Sequence, residues 1–402
     1  MGEWEQKRLS EVTTQVQDAV KVVDGESYPL LGVRWYAEGP FLREIVTSET
    51  SKATRFFRVR SGQFIYNRLF AWKGSFGLVG SDLEGSCVSN EFPLFECDRS
   101  RLLPEFLNLH FRQPKVWEDI ERVSTGTTAS RNRWKESQFN DHLIALPLVA
   151  EQRRIVDVME AVDAQIDALA AEIKAARALL RARRSELLVH DSATIPVKRA
   201  FSVLMGRQRA PQHAIGPYMT NYLRSANIGD GVLDLADVKQ MNFNPAERAK
   251  FGLREGDVLV SEGSASAAAV GLSAVWHGEI EDPVCFQKTL LRFRAIDGVT
   301  TAAFTNHWCQ WAFESGTFLE ISSGTNIKHI TAVRVLEVPV ALPGIEVQST
   351  IANELDTLET QHAAIGAEIA HLRSLRSVLL ASLLSGKIEI PESYDALLEK
   401  VS

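Results

Sequence analysis

One short element of this 402-residue sequence occurs twice, and its two copies are separated by close to half the chain. Pro147 aligns with Pro343 and Gln152 with Gln348, each at an offset of 196 (343 − 147, 348 − 152). A repeat of this length predicts two structurally related halves rather than one continuous fold. The copies are ALPLVAEQRRI at 145–155 and ALPGIEVQSTI at 341–351.

A heptad pattern follows each copy of this element. Apolar residues recur there at alternating steps of four and three, which is the a/d seam of a coiled coil. Because each helix must return the chain to a globular segment, we predict that the two long helices pair antiparallel. The second seam includes two polar residues, His362 and Arg376, which we interpret as positions that fix the register. The seams are Ile155, Met159, Val162, Ile166, Leu169, Ile173 and Leu180, and Ile351, Leu355, Leu358, Ile365, Ile369, Leu372 and Leu379.

The segments outside the helices have strand patterns, with β-branched and aromatic residues alternating between glycines. We therefore predict an α+β fold in which two strand-rich units are separated by two long helices, the helices forming an antiparallel coiled coil with a pseudo-twofold repeat. The predicted divisions are a first globular domain 1–145, a central helix 146–190, a second globular domain 191–340, a second helix 341–390 and a tail 391–402.

The formal net charge of -7 argues weakly against a nucleic-acid ligand, but it says nothing about local patches. From Thr50 to Ser81 there is no Asp or Glu, and aromatic residues interleave with cations. This positive strip is typical of a phosphate-binding surface. Most of its aromatic residues are expected in the core, and the alternative for its cations is a half-buried sheet with extended charged side chains. The cations are Lys52, Arg55, Arg58, Arg60, Arg68 and Lys73.

Other classes of protein are disfavoured by composition and spacing. The four cysteines form no CxxC pair and the histidines supply no zinc-site spacing, so neither a metal site nor a disulfide framework is expected. The polar N-terminus has no apolar signal core, and there is no run of about 18 apolar residues. We expect a cytoplasmic protein.

With its repeated boundary element, the sequence resembles the specificity subunit of Type I restriction-modification systems over essentially its whole length. Each copy has a Ser/Thr-Gly-Thr turn, then Leu-Pro, then a Gln that opens the heptad helix. The second copy departs from the family pattern at Val347, where an acid is common. The matching residues are Ser124–Thr127, Leu146–Pro147 and Glu151–Arg153 in the first copy, and Ser323–Asn326, Leu342–Pro343 and Gln348 in the second.

The resemblance implies that each globular domain is a target recognition domain that reads one half of a bipartite DNA site. It also implies that the helix pair sets the unread gap and docks two copies of a methyltransferase subunit, and that a motor-nuclease subunit can join. No cofactor is expected on this chain, whereas S-adenosylmethionine is expected in the partner methyltransferase.

Contacts with DNA are predicted for polar and cationic side chains on loops, because these groups bind phosphates and base edges. The Ser/Thr-Gly-Thr turns suit phosphate through their hydroxyls and small residues, although capping of a helix or strand is the alternative. Besides the six strip cations, the predicted residues are Asn67, Ser89, Asn90, Thr127, Arg131, Arg207, Arg209, Arg224, Asn227, Gln287, Lys288, Thr325, Asn326 and Lys328.

Catalysis by this chain is not expected. A phosphate-binding GxxxxGK[ST] loop is absent from the sequence, and Phe243-Asn244-Pro245-Ala246 lacks the second proline and the aromatic residue of an adenine methyltransferase turn. Three alternatives remain open at this point. One is a coiled-coil scaffold for proteins without DNA specificity, and another is the specificity subunit of a related system in which restriction and methylation are fused. The third is an enzyme with an unrecognised site.

Overall fold

The computed structural model describes residues 4–126, 132–189, 193–264, 266–281, 283–325 and 327–398. Of the predicted DNA-binding residues, Thr127, Arg131 and Asn326 lie outside these ranges. Within them, no helix combines the length and the apolar character needed to cross a membrane. The chain divides into two units, unit 1 consisting of Met1–Ala168 with Ile369–Ser402 and unit 2 of Leu169–Glu368. Each unit therefore contains part of each long helix.

Unit 1 combines strands with short helices that precede the first long helix. Its strands are β1 (Glu5–Arg8), β2 (Thr13–Val16), β3 (Ala19–Lys21), β4 (Ser27–Val33), β5 (Pro40–Thr47), β6 (Arg55–Arg58), β7 (Phe64–Tyr66), β8 (Phe76–Leu78), β9 (Cys87–Val88), β10 (Leu94–Cys97) and β11 (Leu143–Leu146). Its helices are α1 (Pro104–Phe111), α2 (Pro114–Val123) and α3 (Glu136–Asp141), followed by α4 (Val149–Leu188), which continues into unit 2.

Unit 2 has the same mixed composition. Its strands are β12 (Thr194–Pro196), β13 (Phe201–Met205), β14 (Met219–Leu223), β15 (Lys239–Asn242), β16 (Val258–Ser261), β17 (Gly263–Ser264), β18 (Ser273–Val275), β19 (Val284–Phe286), β20 (Leu290–Ala295), β21 (Ser322–Ser323), β22 (Lys328–Ile330) and β23 (Pro339–Ala341). Its helices are α5 (Val197–Ala200), α6 (Pro245–Phe251), α7 (Ala302–Glu314), α8 (Thr317–Glu320) and α9 (Ala332–Val335). Helix α10 (Ile345–Leu384) returns the chain to unit 1, which ends with α11 (Asp395–Leu398).

The two units share a strand topology. One sheet of unit 1 has the order β2-β10-β7-β8, and one sheet of unit 2 has the order β13-β20-β16-β18, with antiparallel neighbours throughout. Beside them, β4 pairs in parallel with β9, as β14 does with β19. Two further antiparallel pairs, β1 with β11 and β12 with β23, bring the chain to the start of α4 and of α10. The internal repeat predicted from sequence is therefore a repeat of structure.

The long helices run antiparallel within each unit. In unit 2, Ile173 of α4 lies beside Gly366 of α10, while Arg183, farther along α4, pairs with Glu354, nearer the start of α10. In unit 1, Arg376 Nη2 is 2.8 Å from Asp163 Oδ2. Every predicted seam residue is buried or half-buried, whereas most positions between them are exposed. The prediction of two paired heptad helices is confirmed.

The ends of the helices also belong to the cores of the units. Ile155 and Met159 pack in unit 1 with Phe106 and with Leu380 and Leu383 from the end of α10. The repeat-equivalent residues Ile351 and Leu355 pack in unit 2 with Trp308, Leu180 and Leu188. Because burial of such side chains contributes on the order of 2 kcal/mol each, each unit is fixed to its helix ends by apolar contacts.

Candidate nucleic-acid interface

In unit 1, two segments that carry predicted residues, 67–68 and 89–90, meet residues 133–134 at one end of the β2-β10-β7-β8 sheet. The Arg68 N–H donates to the carbonyl of Glu91 at 3.0 Å, and the Trp134 N–H donates to the carbonyl of Arg68 at 3.0 Å. Gln17, which leaves β2, lines a cleft with Arg68 and Asn90. We call the loops 17–18, 67–68, 89–91 and 133–134 the first loop surface.

The positive strip of the sequence continues from this surface. Lys52, Arg55, Arg58 and Arg60 are exposed on and beside β6, where the Arg58 N–H donates to the carbonyl of Asp18 at 2.8 Å. The strand buries its aromatic residues and exposes its cations, as expected from the sequence. The buried aromatic side chains of this segment are Phe56, Phe57, Phe64, Tyr66 and Phe76.

Four strip cations have partners within the chain. Arg68 is half-buried and forms an ion pair with Glu136. Arg60 Nη2 lies 3.3 Å from Asp18 Oδ2.

The other two make cation–π contacts. The ammonium of Lys73 lies 3.9 Å from the ring centroid of Trp35, and the guanidinium of Arg55 lies 5.6 Å from that of Phe57. The neighbouring Arg133 has its Nη2 at 2.9 Å from Glu91 Oε1.

In unit 2, the same end of the equivalent sheet also gathers predicted residues. The Lys288 N–H donates to the carbonyl of Arg207 at 2.8 Å, and the Gln287 N–H donates to the carbonyl of Leu223 at 2.9 Å. Three loops that are distant in sequence are thereby joined. We call the loops 207–209, 224–227, 262–264, 287–289 and 328–329 the second loop surface.

Equivalent backbone hydrogen bonds hold both surfaces. In unit 2 the Glu262 N–H donates to Thr289 at 2.9 Å and the Ile330 N–H to Glu262 at 2.7 Å, which repeats the pattern around Arg68. The turn that contains the Ser/Thr-Gly-Thr element is bridged by Thr125 and Arg133 in one unit and by β21 and β22 in the other. The second turn is two residues shorter, so its glycine is offset by 198 residues (324 − 126), compared with 196 for the two prolines. Thr325 is exposed at this turn and Lys328 is half-buried.

Two residues of unit 2 that were predicted to bind DNA are buried and make contacts within the protein. Asn227 is 1% exposed, and its Nδ2 donates to the carbonyl of Asp234 at 2.8 Å. Arg207 is 8% exposed, and its Nη2 lies 2.7 Å from Glu247 Oε1. The sequence correctly indicated polar side chains at these positions. In the fold, however, their polar groups are paired within the protein and do not face solvent. They position the loops of the second loop surface.

The remaining predicted residues of unit 2 present groups to solvent. Arg209 and Lys288 are exposed and Gln287 is half-buried. Arg224 Nη2 lies 2.6 Å from Asp237 Oδ2, and hydrogen bonds from Lys239 and Arg224 lower the pKa of that carboxyl.

In unit 1, Asn90 is exposed, Asn67 and Ser89 are half-buried, and the side-chain oxygen of Asn67 accepts the Leu69 N–H at 3.0 Å.

One cluster of unit 2 has the composition of a metal site. His307 Nε2 lies 2.9 Å from Asp356 Oδ1, and its Nδ1 lies 3.8 Å from Glu359 Oε1. The guanidinium of the buried Arg184 also donates to Glu359. Its positive charge would repel a metal ion bound at this cluster. A hydrogen bond from His307 lowers the pKa of Asp356. We interpret the cluster as an ion-pair network that fixes α7 to the helices.

The motifs considered for catalysis have structural roles. The Asn244 side chain accepts the Glu247 N–H at 2.9 Å, so Asn244-Pro245 begins α6 as an ordinary helix cap. The four cysteines are free, and burial raises the pKa of Cys97 and of Cys285 to about 12. Thiols with such pKa values remain protonated at neutral pH and are poor nucleophiles.

Sequence reasoning missed a second acid-free segment. From Ser192 to Gly229 the chain contains no Asp or Glu, which parallels the strip of the first half. The described part of this segment includes the exposed loop 208–215 next to the second loop surface. A search for acid-free windows in both halves would have found it.

Two curated relatives are similar to part of the chain. The specificity subunit of the Type I restriction enzyme StySPI from Salmonella potsdam is 24% identical over 203 residues, which are 49% of this chain and 43% of the relative. The EcoKI specificity subunit from Escherichia coli (strain K12) is 24% identical over 200 residues, 48% of this chain and 42% of the relative. The matches thus span less than half of each relative, and no protein-family model matches the chain.

Similar solved structures cover nearly the whole chain. A structure that describes complex assembly and conformational transition of the Type I R-M system contains a chain with a TM-score of 0.64 and 20% identity, covering 96% of this chain and 98% of that one. The HsdS subunit from Thermoanaerobacter tengcongensis has a TM-score of 0.52 at 20% identity over 96% and 98%. The Type I S subunit from M. genitalium has a TM-score of 0.54 at 12% identity over 94% and 96%. As its sequence predicted, the chain resembles the specificity subunits of Type I restriction-modification systems, and it shares their fold.

Proposed function

We propose that this chain is the DNA-specificity subunit of a Type I restriction-modification complex, in which each unit reads one half of a bipartite site. The observation that carries the proposal is the repeat of the loop surface. Equivalent sheets present equivalent loops with amide and cationic side chains, and the same backbone hydrogen bonds fix both sets. Two equivalent surfaces in one chain suit a ligand that has two half-sites.

Direct contacts are assigned to the exposed predicted residues. Lys52, Arg55, Arg58 and Arg60 bind phosphates beside the first loop surface, since all four side chains are exposed; Arg60 exchanges its contact with Asp18 for a phosphate. Arg209 and Lys288 have this role in unit 2. Base edges are read by amide and hydroxyl groups such as those of Asn90 and Gln287. Arg68, Arg207 and Asn227 hold the loops in place instead.

The long helices set the gap between the half-sites in this proposal. Helices α4 and α10 each have 40 residues, a length of about 60 Å for a straight helix. The proposed divisions are those of the sequence: recognition domains 1–145 and 191–340, helix segments 146–190 and 341–390, and a tail 391–402.

Chemistry is supplied by partners. We propose that two copies of a methyltransferase subunit, each with its S-adenosylmethionine, bind this chain, that a motor-nuclease subunit joins for cleavage, and that the chain itself is not catalytic. The repeat supports two copies, because it offers one kind of partner two equivalent positions. The complex would act in the cytoplasm, where its DNA target is.

The test is selection from a pool of random duplex DNA by the full chain together with its methyltransferase partner. We expect enrichment of a motif with two defined halves and an undefined gap. Replacing residues 191–340 by another recognition domain should change one half only. A protein-interaction scaffold would enrich no motif, and a change in both halves would contradict the assignment of one half to each unit.

A further inference from the structure

The loop 207–218 of unit 2 is held in a defined shape around Asn242 of the edge strand β15. Arg207 donates to the carbonyl of Asn242, and its Nη2 lies 2.9 Å from His213 Nδ1. The Tyr218 N–H donates to Asn242 Oδ1 at 2.8 Å. At Gly216 an added Cβ would collide with the Asn242 side chain, so the close approach requires glycine. The loop is therefore attached at its beginning, in its middle and at its end.

An isoleucine stands out from this fixed loop. Ile215 is 86% exposed, although its neighbours His213 and Gly216 are tied to the fold. A single exposed apolar side chain is normal on a protein surface and does not by itself indicate a ligand. Ile215 differs because the loop that carries it is held at several points beside the second loop surface, so its side chain is presented to the ligand of that surface.

The surroundings of Ile215 favour DNA over a protein as that ligand. The loop lies within the acid-free segment from Ser192 to Gly229, and its other exposed side chains include Gln208, Arg209 and Gln212. The loop is also continuous with the second loop surface, since the Arg207 carbonyl accepts the Lys288 N–H at 2.8 Å. A positive, amide-bearing loop with one apolar tip matches a base-pair edge, which presents acceptors together with the thymine methyl group between two phosphate backbones.

We propose that Ile215 reads a thymine in the half-site assigned to residues 191–340, by packing against the C5-methyl group in the major groove. This inference rests on the proposed function and assigns one specificity-determining residue within it. Arg209, on the same loop, binds an adjacent phosphate and fixes the loop in the groove. Arg207 and Asn242 act as positioning residues, because they hold the loop without reaching the ligand.

The experiment compares thymine with uracil, which lacks the methyl group, at each position of the selected site. The full chain with its methyltransferase partner should lose about threefold to fivefold in affinity at one position of one half-site, the effect of one methyl contact. Ile215→Ala should bind that thymine site more weakly by a similar factor and should no longer distinguish uracil from thymine there.

The control is Val347→Ala, which shortens another exposed apolar side chain, 49% exposed, on the first turn of α10. This variant should distinguish the two bases as the parent does. If the parent selects a bipartite motif but Ile215→Ala retains full discrimination at every position, the assignment of Ile215 is overturned while the proposed function stands. If Ile215→Ala instead weakens assembly with the methyltransferase subunit and leaves base preference unchanged, the loop is a protein interface. If the parent selects no motif, the proposed function and this inference both fail.

Discussion

Gln152 and Gln348 show at the level of single residues why the boundary element is repeated. Gln152 Oε1 accepts the Leu103 N–H at 2.9 Å, and its Nε2 donates to the carbonyls of Arg101 at 2.8 Å and Pro147 at 3.0 Å. Gln348 makes the same three bonds to Thr301, Val299 and Pro343, at 3.1, 2.9 and 2.8 Å. Both side chains are fully buried. Each glutamine thereby joins the start of a long helix to the start of a shorter helix of its unit, α1 in unit 1 and α7 in unit 2.

Replacing either glutamine by leucine should destabilise the unit that contains it. Gln152→Leu leaves the buried Leu103 N–H and two carbonyls without partners, and we expect a loss of about 1–3 kcal/mol. Gln348→Leu should have an effect of the same size on unit 2. Urea denaturation measures both, and Gln165→Leu on the exposed face of α4 is the control, expected within about 0.5 kcal/mol of the parent. Equal midpoints for all three variants would contradict this role.

His110 and His142 form a second residue-level feature, with their Nε2 atoms 2.9 Å apart. Desolvation lowers the pKa of His110 to about 3 and that of His142 to about 4. In the unfolded chain the two histidines have pKa values near 6.5, so they bind protons at a pH where the folded chain keeps them neutral. The free energy of unfolding therefore decreases as the pH falls from about 6.5 to about 4.

We expect this acid-side loss to be several kcal/mol, since each pKa unit corresponds to about 1.4 kcal/mol, and to be flattened in the double variant His110→Leu, His142→Leu. Denaturation midpoints measured at intervals between pH 7 and pH 4 test the expectation. His277→Leu, at an exposed position, should keep the slope of the parent. An unchanged slope in the double variant would show that other groups cause the loss.

Lys288 provides a test of phosphate binding at one residue. Lys288→Ala should weaken binding to the selected site and to unrelated duplexes alike, and should reduce the slope of log affinity against log salt by about 1. Lys387→Ala, an exposed lysine outside both loop surfaces, is the matched control. A change of base preference without a change of salt slope would assign Lys288 to base reading instead.

At the level of elements, the long helices follow directly from the sequence. Alternating steps of four and three predict the seam, and the structure buries or half-buries every seam position listed by that pattern. The polar seam residue Arg376 has a defined partner. Burial disfavours the charged form of Asp163, but hydrogen bonds from Arg376 and then the charge of Arg112 lower its pKa overall. Asp163 therefore connects α4, α10 and the residue that follows α1.

Asp163→Asn should lower the stability of unit 1 by about 1–2 kcal/mol, because it leaves two arginines facing a neutral amide. Asp167→Asn, one turn farther along α4 and exposed, is the matched control and should have a small effect. Urea denaturation at low and moderate salt measures the difference. Equal effects of the two substitutions would mean that Asp163 makes no special contribution.

The loop surfaces could be predicted only in part. The strip from Thr50 to Ser81 was found because the absence of acids is a local property of the sequence. The burial of Arg207 could not be read locally, since it depends on Asn242 and Glu247, which are distant along the chain, and that of Asn227 depends on the course of the loop that brings Asp234 back to it. The exposure of Ile215 has the same origin, because the neighbouring residues are fixed by β15.

At the level of the whole molecule, we propose that two equivalent units each read a half-site and that the length of the helix pair determines the gap between them. Residues 168–174 of α4 and 365–371 of α10 are one heptad each, so their removal keeps the remaining seam positions in phase. At 1.5 Å per residue the deletion shortens each helix by about 10 Å, equivalent to about three base pairs of duplex.

The most direct test is therefore DNA selection by the parent and by this double deletion, each assembled with the methyltransferase subunit. We expect both half-sites to stay the same while the gap between them becomes about three base pairs shorter. A deletion protein that still folds and selects both half-sites at the original gap would contradict the claim.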